Sequence, residues 1–145
     1  MPVIATMVVD SDGVIPWNGK DKHYVLAGTF DFSVAANNAA SADTVTLFEV
    51  AANQLCKGIS VRVTTVEGGT ATVDIGLTGG DVDLFIDGAD LNALGTTWSG
   101  QATTDEVVIA GGGHYFTAAD TIDMLCNNAL DAAVIEVRAM MVDLS

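Results

Sequence analysis

With 145 residues, half of them hydrophobic, the chain is long enough for one domain with a core of its own and too apolar for disorder throughout. Five Lys and Arg against 19 Asp and Glu give a formal net charge of −14. The bases (Lys20, Lys22, Lys57, Arg62 and Arg138) are scattered along the sequence, which excludes a nucleic acid, bound largely through Lys and Arg on phosphates, and an anionic membrane surface.

Residues 1 to 23 read as an extended N-terminal arm. Val3, Ile4, Met7, Val8, Val9, Val14, Ile15 and Trp17 are apolar without a hairpin partner, and Pro2 and Pro16 punctuate them. No Lys or Arg precedes the stretch Val3 to Val9, and Asp10 and Asp12 follow it, so it does not read as a signal peptide. No run approaches the ~20 apolar residues of a spanning helix, and the expectation is a soluble protein. Asp10-Ser11-Asp12-Gly13 and Pro16 interrupt any long strand, so the apolar side chains need cover from elsewhere; the competing reading makes Thr6 to Asp10 an edge strand of its own domain.

Residues 24 to 145 read as a single β-domain. Tyr24 to Val34 and Thr44 to Val50 are rich in aromatic, Thr and Val residues and flank a loop over Ala35 to Asp43. Ile59, Val61 and Val63 alternate with polar residues, as in a strand with one buried face. Glu67-Gly68-Gly69 predicts a turn, and Thr70 to Leu77 the second arm of a hairpin. After Thr78-Gly79-Gly80 a third strand is expected, with Val82, Leu84 and Ile86 inward and Asp81, Asp83, Phe85 and Asp87 outward. Asp87 to Gly95 predicts a short helix with an Asp cap and a Gly stop. Glu106 to Ala110, His114 to Thr117, Asp120 to Cys126 and Val134 to Val142 are further strands, the last with Ile135, Val137, Ala139 and Met141 on its core face. About eight short strands with Gly-rich turns predict an all-β, antiparallel β-sandwich of jelly-roll type.

Residues that could carry chemistry are sparse. Cys56 and Cys126 form no metal or redox motif and read as small buried thiols. His23 and His114 are the only histidines, and no Gly-x-Ser-x-Gly elbow accompanies them, which leaves no candidate nucleophile and base. Gly111-Gly112-Gly113 lacks the Lys or helix start that completes a phosphate cradle and reads as a turn, with His114 beginning the strand after it. Asp81, Asp83, Asp87 and Asp90 have the right oxygens for calcium but the wrong spacing, and read as a solvated face. No catalytic residue, cofactor or metal site is assigned. Trp98, in the loop region Gly95 to Gly100, either covers one end of the core or stacks on a sugar; Trp17 reads as an anchor.

From about Leu55 onward, Ile59 to Thr65, Gly69 to Gly76, Ala89 to Thr96, Tyr115 to Asp123 and Ile135 to Asp143 resemble small head-associated structural proteins of tailed bacteriophages, the decoration or cement type. The resemblance implies a protein without catalysis on the outer surface of a virion, made in the host cytoplasm, with the major capsid protein and itself as partners, often as a homotrimer. In that setting Val3, Ile4, Val8, Val9, Ile15 and Trp17 become the expected contacts with capsid or a neighbouring subunit. The alternative is a carbohydrate- or receptor-binding sandwich of a head fibre or tail.

Overall fold

The computed structural model describes residues 22–99 and 113–145. They form two antiparallel sheets that enclose one core. Sheet I has the order β1 (Lys22–Asp31), β9 (Val134–Asp143), β3 (Gln54–Thr65), β6 (Gly95–Trp98), with the short β7 (His114–Phe116) also paired to β3. Sheet II has the order β2 (Thr44–Val50), β8 (Asp120–Cys126), β4 (Thr72–Gly76), β5 (Ile86–Asp90). The expected all-β sandwich is therefore the observed architecture.

The pairs β1·β9, β2·β8, β3·β6 and β4·β5 nest around the β4–β5 connection, as in one long hairpin of four strand pairs. The pairings β9·β3 and β8·β4 roll that hairpin into two layers. Nesting makes most contacts distant in sequence.

Period two decides the faces. Inside sheet I, Leu26, Ala139 and Ile59 form one row across the strands, with Gly28, Val137 and Val61 beside it. Inside sheet II, Val45, Met124, Ile75 and Ile86 form another. Ile59, Ile75, Ile122, Met124, Ile135 and Val137 are wholly buried, each burial stabilising by roughly 1.5–3 kcal/mol. Phe30 of sheet I meets Phe48 of sheet II edge to face, with ring centroids 6.4 Å apart.

Several local expectations need correction. The run before Glu67 and the run after Gly69 do not form a hairpin: β3 lies in sheet I and β4 in sheet II. The chain crosses because its connection is held by the other sheet's loops. Glu67 N–H donates to Leu91 O at 3.0 Å, Gly68 N–H to Asn92 Oδ1 at 2.9 Å, and the Glu67 carboxylate accepts from the backbone before β9. The expected third strand is out of register. Val82 is exposed, Phe85 and Ile86 are both buried, and the strand begins only at Ile86, so Asp81 and Asp83 belong to a turn.

No helix forms over Asp87 to Gly95, where β5, a turn and the start of β6 follow instead. Gly88 at φ 75° and Gly95 at φ 131° are incompatible with a right-handed helix, and Leu91 N–H donates across to Ala71 O. The first strand runs from Lys22 to Asp31, taking in two residues assigned to the arm and stopping short of Val34. The strands at Thr44 to Val50 and Asp120 to Cys126 match expectation, and Ala35 to Asn37 adds one 3-10 turn to the anticipated loop. The strand expected at Glu106 to Ala110 lies outside the described residues.

Candidate interaction surfaces

Alternation leaves each sheet an outer face, and these two faces differ in chemistry. On sheet I the cross-strand register sets three rows. Thr96, Arg62, Glu136 and Thr29 form the first, Trp98, Ser60, Arg138 and Ala27 the second, and Gly58, Met140 and Val25 the third. Glu136 takes Arg62 at 3.5 Å and Arg138 at 3.4 Å, so one carboxylate lies between two guanidiniums and the cluster keeps one positive charge. Beside it Val25 is 57% exposed, Trp98 45% and Met140 37%. A bare Gly58 lets Met140 lie across it: a β-carbon there would be 3.3 Å from Met140 Cε and 3.1 Å from Ser99 Oγ. Lys57, the extra residue of a bulge in β3, is exposed at the same end.

Sheet II presents Thr44, Thr46, Thr72 and Thr121 with Glu49, Asp74 and Asp90. The connection of residues 77–85 folds over part of this face and adds Asp81 and Asp83. It approaches so closely that a β-carbon at Gly76 would lie 2.2 Å from Asp81 O. Underneath is a cavity of about 30 Å³ lined by Thr44, Gly76, Leu77, Thr78, Val82, Asp123 and Leu125, room for a water and no more. Burial opposes ionisation of Asp123, but donors from Thr78, Thr121 and Thr46 outweigh it and hold its pKa below the usual value. The Asp83 carboxyl is pushed up to about 6, first by its hydrogen bond with Asp81, then by burial and the charge of Asp81.

The residues weighed for chemistry take structural places. Cys56 in β3 and Cys126 in β8 are buried free thiols on opposite sheets, as anticipated, and burial pushes both up to about 11. His114 begins β7, partly buried, its ring edge-on to Phe116 at 4.7 Å and to Phe85 at 6.2 Å. Gly113 is required for contact rather than for a phosphate: with φ at 147°, a β-carbon there would be 2.6 Å from Cys56 O. Among the described residues no three His, Cys, Asp or Glu side chains converge as metal ligands would, and Asp81, Asp83, Asp87 and Asp90 are divided between a turn and β5. Trp98 is in β6, on the open face of sheet I, and does not cap the core from a loop. The candidate contacts Val3, Ile4, Val8, Val9, Ile15 and Trp17 lie outside the described residues.

The feature that sequence reading missed is the gathering of charge. The four described bases, scattered along the chain, share one sheet once it is rolled up, because β1, β3 and β9 are neighbours. For Arg62 and Arg138 the outward parity was readable in the alternation; the adjacency was not.

No protein-family model matches the sequence, and no curated protein matches it. The fold is similar to chains from three phage capsids. A chain of the acid-stable capsid of Helicobacter pylori bacteriophage KHP30 superposes with TM-score 0.61 at 14% identity, covering 87% of this chain and 91% of that one. One from the capsid asymmetric unit of cyanophage Pam1 gives 0.63 at 14% identity, covering 88% and 89%. One from the capsid of Ralstonia phage GP4 gives 0.58 at 16% identity, covering 90% of each.

Proposed function

We propose that this chain is a non-catalytic structural protein of a phage virion, one that decorates and stabilises the outside of the capsid by binding the major capsid protein and associating with itself. The observation that carries the reading is the sandwich itself, similar over about nine-tenths of both chains to proteins found in three phage capsids. The nested strand pairs support its jelly-roll form. A strong negative charge suits the outer surface, since packaged DNA would repel it inside. Attachment runs through the N-terminal arm, with Val3, Ile4, Val8, Val9, Ile15 and Trp17 as its apolar contacts, and the self-associated form is a homotrimer.

Electron microscopy of the intact particle tests the placement. The expected image has the sandwich on the outer shell in groups of three; a particle without the protein, or one carrying it on the inner surface, overturns the reading. Deleting residues 1 to 18 tests the arm, since every described strand is built from residue 22 onward. A β-rich fragment with weakened particle binding is expected. Undiminished binding, or a fragment that does not fold, removes the arm from the proposal.

A further inference from the structure

Among the described residues, the strands of the two sheets differ in charge. Strands of sheet I hold all four described bases, and on the outer face Arg62, Arg138 and the bulge residue Lys57 stand against Glu136 and Asp31, while Lys22 pairs with Asp143 on the other side of the sheet. Strands of sheet II hold Glu49, Asp74, Asp87, Asp90, Asp120 and Asp123 and no base. The cationic face also carries the exposed Trp98, Val25 and Met140, and Trp, Met and Arg are the types enriched at the centres of protein interfaces. Two copies of a chain with net charge −14 repel at a distance. Repulsion is screened beyond roughly 8 Å at physiological salt, so the local pairing of faces decides which contact forms.

We propose that the outer face of sheet I docks on the outer face of sheet II of a second copy of this chain, head to tail. Arg62, Arg138 and Lys57 then meet Glu49, Asp74 and Asp90, with Trp98, Val25 and Met140 laid on the Thr-rich surface between them. The inference rests on the virion reading proposed above and adds a contact to it: the two outer faces lie on opposite sides of one sandwich, so this head-to-tail contact extends an open row of copies and is separate from the one that closes the trimer. Like faces do not serve as well: sheet II against itself brings carboxylates together, and sheet I against itself brings an excess of cations together. Four strands at ~4.8 Å spacing and about 25 Å length offer roughly 500 Å² per partner, less than the ~800 Å² of a standard stable interface. The contact is therefore weak in dilute solution and fills at the high local concentration of a shared surface.

Sedimentation velocity of the full chain tests this at ~150 mM salt, from micromolar to half-millimolar protein, with circular dichroism and melting to verify folding of each variant. Wild type should associate reversibly with rising concentration. Arg62→Glu with Arg138→Glu should weaken association at least tenfold. Glu49→Lys with Asp90→Lys should do the same, although it lowers the net negative charge and would strengthen association if general repulsion were the control. An equimolar mixture of the two double variants should regain association, because each supplies the face that the other needs. Association of the Glu49/Asp90 variant at or above the wild-type level overturns the proposal, as does a mixture that associates no more than either variant alone.

Carbodiimide coupling of wild type provides evidence independent of variant folding. With isotopically mixed protein, links from Lys57 to Glu49, Asp74 or Asp90 should join different copies; links confined to a single copy count against the contact. Wild type whose assemblies do not grow with concentration up to half-millimolar, although it is present on the particle, overturns this contact and leaves the virion reading standing. Absence from the particle removes that reading instead.

Discussion

The carboxylate of Glu67, on the connection after β3, accepts the backbone N–H of Ala133, just before β9, at 2.8 Å. It also accepts from Asp131 N–H at 2.7 Å and Ala132 N–H at 3.1 Å, so one side chain closes three donors of a loop 64 to 66 residues away. This bond set holds the crossover between the two sheets against the entry to the central strand of sheet I.

Removing the Glu67 charge should loosen that crossover. Burial favours the neutral acid, but the three backbone donors, with a hydrogen bond to the Asp131 side chain, outweigh it and hold the carboxyl below its ordinary pKa. A depressed pKa adds stability above the unfolded value of about 4.3 and loses it as pH falls through the folded one. Glu67→Gln should cost about 1.5–3 kcal/mol at pH 7, a fall of roughly 4–10 °C in melting temperature. The gap between variant and wild type should narrow below pH ~4. Equal melting temperatures at pH 7 would falsify the role.

Gly76 and Gly69 should respond very unequally to the same change. At Gly76 the new methyl would collide with Asp81 O, a backbone atom that can retreat only if residues 77–85 lift off sheet II. A β-carbon at Gly69 meets nothing within 4 Å and needs no positive φ. Gly76→Ala should cost more than about 2 kcal/mol, and Gly69→Ala should stay within about 0.5. Denaturant unfolding of both variants settles the comparison, and similar midpoints would show that the connection is not pressed onto the sheet.

Asp81 and Asp83 make the stability of the same connection depend on mild acid. Because the folded state raises the Asp83 carboxyl to about 6, it takes up a proton that the unfolded chain does not. Stability from this pair therefore rises as pH falls through about 6 and stays gained below the unfolded value. Carboxyl ¹³C NMR should show Asp83 titrating at about 6, and Asp83→Asn should flatten melting temperature against pH between 7 and 5. A titration near 4 would mean that the two carboxyls do not share a proton.

Cys56 and Cys126 should be chemically silent in the folded protein. Both thiols are buried and raised to about 11, so little thiolate exists near neutrality and reagents have no path to it. Ellman's reagent at pH 8 should label neither until denaturant unfolds the chain, when two equivalents should react. Fast labelling without denaturant would show that the core opens locally.

Some of this protein is readable without coordinates because its causes are local. Alternation in Val134 to Val142 assigns Ile135, Val137, Ala139 and Met141 to the core, and all four are buried. Gly-rich punctuation separates the strands, and composition declares a strongly acidic chain. Local pattern fails where a backbone choice depends on distant partners. Asp87 to Gly95 carries a plausible cap and stop, yet Ile86 to Asp90 pairs with β4 because Ile75 lies opposite Ile86, a match that no window on the helix pattern contains.

By itself, then, the sequence determined for runs such as Val134 to Val142 that the segment extends and which side of it is apolar, and how much negative charge the whole must carry, since period two and composition belong to the chain before it folds. Only the tertiary structure decided which strands are neighbours. That choice separates the run at Ile59 from the run at Val73, although a short turn joins them, and brings Arg62 to Glu136 and Arg138 across 74 and 76 residues. The reason is that strand pairing is a contest among all exposed edges, won through contacts such as Glu67 with Ala133 that exist only once distant segments have met.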